Sequence, residues 1–289
     1  QWWTIQNSPK DGVIKYPPKD VAQKLLEDNI FGVDVKKEAV LVSAFGLTTT
    51  FLNHLTPTEV WNDLKFKDLG VENLTNPKTV SGFFEWAASA KRANKCFDLI
   101  IGNPPFNVET GKDKKAVLKP EYLEAIGVSK DIPNENFALH FFEASMQIAE
   151  KVCMILPSNA ILYSHGIKTK KYRKGFFTNY TVSDIWDFTH LRESLFIKKA
   201  IKGTPNKKKI GRTPVVALLA IPKPTQQKSI VHTIIKRTQS SEKKIRFEID
   251  HYDQHTVPWN WAVAEDKYFV WKTNLLGGGG LFHLIYRFS

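Results

Sequence analysis

Between residues 30 and 221, short apolar runs alternate with stretches of helical periodicity, and this alternation limits the fold more than any other feature. The runs are Ile30-Phe31-Gly32-Val33-Asp34-Val35, Phe97-Asp98-Leu99-Ile100-Ile101, Val152-Cys153-Met154-Ile155-Leu156, Ser183-Asp184-Ile185-Trp186-Asp187-Phe188 and Val215-Val216-Ala217-Leu218-Leu219-Ala220-Ile221. Short apolar runs bounded by breakers read as strands buried on both faces. Helical patterns fall between them at 21–29, with Asp20 as N-cap, and at 37–45, 83–92 and 136–150. Strands that alternate with helices predict an α/β fold: a mostly parallel, Rossmann-like sheet with helices on both faces. The stretch 51–80 is irregular apart from a turn at Asn76-Pro77, and 107–135 reads as a long polar insertion. Residues 1–29 carry the breakers Pro9, Asp11-Gly12 and Pro17-Pro18 and form a poorly defined segment. The main domain is expected over 30–224. Beyond it, at 225–289, glutamine, serine and charge runs alternate with aromatic islands.

Charge points to a polyanionic partner. The 41 Lys+Arg against 29 Asp+Glu give a formal charge of +12, and nucleic acid is the first candidate for such a surface. The cations are clustered. Lys168, Lys170, Lys171, Arg173 and Lys174 form one group. Lys198, Lys199, Lys202, Lys207, Lys208, Lys209 and Arg212 form another, read as a loop with no acid in it and suited to DNA phosphates. No apolar run reaches the ~20 residues of a bilayer span, so no membrane association is expected. Gln1-Trp2-Trp3-Thr4-Ile5-Gln6 lacks the basic start of a secretion signal. Two cysteines, Cys96 and Cys153, suit a reducing, cytoplasmic setting. His251 and His255 lack partners at metal-ligand spacing, so no metal is expected.

The chemistry concentrates after the second run, at Asn103-Pro104-Pro105-Phe106. A buried strand of an α/β sheet delivers its carboxyl end to the crevice where ligands bind. There Asn103 offers a carboxamide that both accepts and donates hydrogen bonds. Pro104 and Pro105 stiffen the chain and have no N–H to pair with their neighbours. Phe106 adds a flat apolar face for a planar ring. A rigid acceptor beside an aromatic face matches an exocyclic amine on a planar base.

In this context Phe97-Asp98-Leu99-Ile100-Ile101-Gly102-Asn103-Pro104-Pro105-Phe106 resembles catalytic motif IV of the S-adenosylmethionine-dependent amino-methyltransferases. The order of its neighbours is similar to the N6-adenine DNA methylases, especially the Eco57I-like or type IIG and type I-like group. The resemblance implies further roles. Asp34, with Val35, falls where motif II binds the ribose of the cofactor. Phe83, in Ser81-Gly82-Phe83-Phe84, falls in motif III, and Phe141 in the motif V helix beside the cofactor adenine. Phe196 matches the motif VIII aromatic that stacks on the extruded base. Lys198, Lys199, Lys207, Lys208, Lys209 and Arg212 would then meet the DNA backbone.

Two features depart from the family pattern. The glycine-rich motif I loop should precede residue 30, yet residues 1–29 hold none, so the sheet is expected to be incomplete at its N-terminus. Gly82 stands where the family has an adenine-reading acid. The resemblance implies transfer of a methyl group to adenine N6 of double-stranded DNA after the base leaves the duplex. A restriction-modification or phage-defence setting follows, with a target-recognition or restriction domain or subunit as partner, toward which 225–289 leads. Alternatives are a glutamine-N5 protein or RNA guanine-N2 methyltransferase, or a nucleic-acid-binding fragment deficient in cofactor.

Overall fold

The computed structural model describes residues 17–53, 55, 57–61, 67–106, 118–133, 136–158, 161–162, 167–191, 197–198, 209–210, 214–224, 227–235, 252–263 and 288. The chain divides into two compact units, Gln1–Phe83 and Phe84–Ser289.

In the first unit, α1 (Lys19–Asn29), β1 (Gly32–Val33) and α2 (Lys37–Leu52) precede the short α3 (Pro57–Trp61), α4 (Leu69–Glu72) and β2 (Leu74–Thr75). Strands β1 and β2 pair in parallel, Gly32 with Leu74 and Val33 with Thr75. Pro18, not Asp20, occupies the N-cap of α1; Asp20 lies in the first turn, where a negative charge suits the helix dipole. The core gathers Leu26, Phe51 and Leu69, with Ala44 and Leu47 packed against it. Asn73 knits the unit together: its buried Nδ2 donates to Glu27 O at 2.7 Å and to Ile30 O at 2.9 Å. The strand expected over 30–35 is only two residues long, and Ile30, Phe31 and Val35 are exposed rather than buried. A single partner strand explains the difference. The region expected to be irregular holds both β2 and α4, which Asp68 caps through Gly70 N at 2.9 Å.

The second unit is built on a six-stranded sheet of order β10-β9-β5-β8-β4-β3. Its elements are α5 (Gly82–Arg92, which begins at the unit boundary), β3 (Ile100–Gly102), α6 (Pro120–Ile126), α7 (Phe137–Met146), β4 (Val152–Pro157), α8 (Ile167–Asn179), β5 (Thr181–Asp187), β8 (Val215–Ile221), β9 (Ser229–Ile235), β10 (Tyr252–Pro258) and α9 (Trp259–Ala262). Strands β3 and β4 are parallel, as are β5 and β9, while β8 runs antiparallel between β4 and β5. Four strands therefore share one direction, with β8 and β10 reversed. Phe188 N–H donates to Val215 O at 3.0 Å, so the chain re-enters the sheet at the end where β5 left it. The reversal of β8 follows. Its all-apolar sequence reflects a central place, with neighbours on both edges.

Two expectations change. The basic stretch read as a loop starts and finishes as a ladder, β6 (Ile197–Lys198) antiparallel to β7 (Lys209–Ile210). The polar insertion after Phe106 is not all irregular. Pro120 opens α6, Gly127 closes it with a left-handed φ of 87°, and Ile126, Val128 and Ile132 are buried beneath it. Residues beyond 225 supply β9 and β10 to the same sheet.

Candidate active site

Strand β3 joins the sheet at its edge. Ile100 pairs with Val152 and Gly102 with Met154, after which the chain leaves the ladder at Asn103. Upstream, Phe97 bridges to Ala149 and stacks on Trp86 at 5.4 Å, which fixes the approach. Because β3 and β4 are parallel, their carboxyl ends open on the same side of the sheet. Gly102 sits close to its neighbour: a Cβ there would lie 3.1 Å from Met154 Cε. Pro104 is buried and anchors the turn, Asn103 and Pro105 are exposed, and Phe106 is half-buried. The Asn103 carboxamide makes no hydrogen bond to another described residue. A rigid turn thus presents an unspent amide at the edge of the sheet.

Beside it, β4 ends at Pro157-Ser158. The Ser158 N–H donates to Pro214 O at 2.9 Å, while its hydroxyl is fully buried and makes no hydrogen bond. In register, Ser158 stands as far beyond Met154 as Phe106 stands beyond Gly102. Nothing in the local sequence distinguishes this serine from an ordinary strand end. At the carboxyl end of β5, buried Asp187 accepts from Thr189 N at 2.8 Å and lies 3.3 Å from His232 Nε2. Among the described residues no group of His, Cys, Asp and Glu is arranged to hold a metal ion.

Helix α7 starts at Asn136, whose Oδ1 accepts from Leu139 N at 3.3 Å, and all ten of its residues are buried. Phe141 belongs to an aromatic cluster, edge-on to Phe84 at 4.9 Å and to Phe137 at 5.3 Å. Phe84 is a ring that meets it, and the neighbouring Phe83 is half-buried. On the same helix Glu143 is held by two buried phenols, Tyr172 at 2.8 Å and Tyr180. Burial pushes the Glu143 carboxyl above its usual range despite both donors, and burial likewise raises both tyrosines. This cluster joins α7 to α8 and makes the platform behind β4.

In the first unit, Asp34 follows β1 with an exposed carboxylate. Its Oδ1 accepts from Lys36 N at 2.7 Å, and its carbonyl accepts from Asn76 Nδ2 at 2.8 Å. The carboxylate is thus fixed, with Oδ2 left for an outside hydroxyl. Val35 is exposed. A Cβ at Gly82 would fall 2.2 Å from Pro77 Cβ, so an acid there would require the turn at Pro77 to shift. The Asp34 carboxylate is free in geometry to accept from a ribose hydroxyl, whereas position 82 offers no acid. Phe196, Lys199, Lys207, Lys208 and Arg212 lie outside the described residues, and Lys198 and Lys209 are seen only as backbone partners in the β6–β7 ladder.

Residues 28–196 match the family model described as Eco57I restriction-modification methylase. The chain belongs to that family. Asn103-Pro104-Pro105-Phe106 lies inside the matched span. No curated protein matches the chain significantly. Solved structures give loose likenesses. The type IIG restriction endonuclease BpuSI aligns at 11% identity and TM-score 0.49, over 94% of this chain and 34% of that one. A type I methyltransferase subunit from Streptococcus thermophilus aligns at 12% and 0.41, over 86% and 56%. The EcoKI M protein aligns at 10% and 0.39, over 76% and 48%. The chain therefore spans between a third and about half the length of these proteins, and its family assignment rests on the matched residues alone. Among the described residues no helix is long and apolar enough to cross a membrane.

Proposed function

We propose that the chain is the catalytic part of a DNA methyltransferase that places a methyl group on adenine N6, with S-adenosylmethionine as donor. The observation that carries this reading is the exposed, unpartnered Asn103 carboxamide on a turn anchored by buried Pro104, at the carboxyl end of a strand parallel to β4. When bound, the cofactor supplies an electrophilic methyl group, and Asp34 would hold its ribose hydroxyls.

The remaining work belongs to this chain and its substrate. The adenine must first leave the duplex, because its N6 is otherwise paired and stacked, at a cost of about a few kcal/mol. Phe106 takes one face of the extruded ring, and Phe196, by its motif position, takes the other. Asn103 Oδ1 and the Pro104 carbonyl accept from the two N6 protons. Those bonds favour a pyramidal amine and draw its lone pair out of conjugation with the ring. Positioning and electrostatics then lower the barrier, and no strong general base is needed. The protein would act with a target-recognition or restriction domain or subunit. The positive charge of the chain supports DNA over a protein substrate.

The test is transfer of labelled methyl from S-adenosylmethionine to DNA, RNA and protein by the full-length protein. Label in DNA that digests to N6-methyladenine, with its loss in Asn103→Ala by at least about 100-fold, is the expected result. Label in glutamine or guanine, or turnover retained in Asn103→Ala, overturns the assignment.

A further inference from the structure

Helix α8 has two opposite faces. Thr169, Tyr172, Arg173, Phe176 and Phe177 are buried, at helical spacing. At ~100° per residue they fill a little under half of the circumference. Lys168, Lys170, Lys171 and Lys174 occupy the other side; three are exposed and Lys170 is half-buried. The helix contains no acid. From Lys168 to Lys174 the cations extend over about 9 Å of helix axis.

Three of these lysines lie in the first turn and a half. A helix N-terminus carries partial positive charge, so cations there work against the helix dipole. No acid offsets them in the first turn. Lys168 and Lys170 have no ion-pair partner among the described residues. Such an arrangement weakens the helix, and a packing role does not explain it, because the lysines face away from the core that holds Tyr172 and Phe176.

Position supplies the second half of the inference. The chain leaves β4 at Ser158, on the side of the sheet where Asn103 leaves β3, and α8 begins from that side. Lys171 Nζ lies 3.1 Å from Asp131 Oδ2, in the segment that follows Asn103-Pro104-Pro105-Phe106. That exposed pair ties α8 to the stretch just after α6. The buried Glu143–Tyr172–Tyr180 cluster fixes the helix about its own axis, so its cationic side stays turned outward.

We infer that the outer face of α8 binds the phosphodiester backbone of DNA beside the extruded base, with Lys168, Lys171 and Lys174, exposed at spacings of three, as the phosphate contacts. The inference rests on the DNA reading above and adds a surface to it. The partner is a polymer rather than a single anion, because the cations are spread along the helix and DNA presents a phosphate for about every 3.4 Å of each strand. This surface was visible in the sequence only as a cluster of lysines; its one-sidedness comes from the fold.

Binding of a fluorescein-labelled DNA duplex to the full-length protein, followed by anisotropy between about 50 and 200 mM salt, tests it. Replacing Lys168→Gln and Lys174→Gln together should lower the slope of log K against log salt by about 0.9 per lysine, close to 2 in all. Lys168→Glu should weaken binding further and raise the melting temperature, because it restores the favoured charge at the helix start. Opposite changes in binding and stability cannot come from partial unfolding. An unchanged salt slope, no duplex binding by the unaltered protein, or an effect confined to RNA overturns the inference. Asn103→Ala should keep the full slope. If that variant also keeps turnover, the catalytic reading fails while the α8 surface stands.

Discussion

Strands β3 and β4 are hydrogen-bonded neighbours with closely similar apolar sequences, yet the protein treats them oppositely. Val152, Met154 and Leu156 of β4 are buried, between β3 and β8 and under α7. On β3, which ends the sheet, Ile101 is 74% exposed and Leu99, just before it, 47%. The same composition forms a core in one strand and an open edge in the next. What differs is the number of neighbours. The uncovered strand is the one that ends in Asn103, so an exposed amide reaches solvent from a backbone that its partner strand holds firmly on one side.

The sharpest break of that contrast lies in β4. Leu156→Ala removes a fully buried side chain between two strands and should cost about 2–5 kcal/mol, depending on how far the site collapses. Urea unfolding measures it. A cost under about 1 kcal/mol would mean that β4 is no better covered than β3.

Next comes the platform behind β4. Glu143→Ala leaves the Tyr172 and Tyr180 hydroxyls buried without their acceptor, and should destabilise by roughly 2–4 kcal/mol. Glu143→Gln keeps one acceptor and should cost less. The pH dependence carries a sign. Burial raises the folded-state carboxyl above 4.5, so its contribution is complete below that value and is lost as pH rises through the elevated one. Wild type should therefore gain on Glu143→Gln as the solution is acidified through that window. A difference that stays flat with pH would mean that the two tyrosine donors cancel burial.

Comparison of these strands also shows what the residues could reveal in advance. The α/β class, the helix that begins after Asn136, the strand that begins at Val152 and the Asn103-Pro104-Pro105-Phe106 turn were all legible, because each is written in local periodicity or a breaker. Exposure of Ile101 was not, since it depends on which strand lies alongside and nothing local encodes that. The antiparallel course of β8 was hidden for the same reason: Val215 is placed by Phe188, across a long intervening segment. The ring cluster around Phe141 shows the limit at the site. Aromatic spacing located the helix, but only packing reveals that Phe84 meets Phe141.

A smaller effect of opposite sign is expected at the end of β4. Ser158 buries a hydroxyl with no partner, a state that costs about 1–3 kcal/mol. Ser158→Ala should therefore stabilise the protein, by roughly 1 kcal/mol after the loss of the hydroxyl's own packing. Destabilisation instead would show that the hydroxyl finds a partner in solution. Measuring methyl transfer alongside separates a purely structural hydroxyl from one that the site uses. A variant that is more stable yet slower would place Ser158 among the site's working groups.

The smallest change should come at Ile101, and it completes the contrast with Leu156. An exposed side chain on an edge strand contributes little to burial, so Ile101→Thr should shift stability by no more than about 0.5 kcal/mol. Threonine keeps the β-branch that suits a strand, so propensity does not confuse the reading. An apolar edge strand also offers unpaired backbone groups to other chains. The same substitution should therefore reduce concentration-dependent association, seen by light scattering, while folding stability stays level. A cost approaching that of Leu156→Ala would mean that Ile101 is covered in the folded protein and that the edge beside Asn103 is closed.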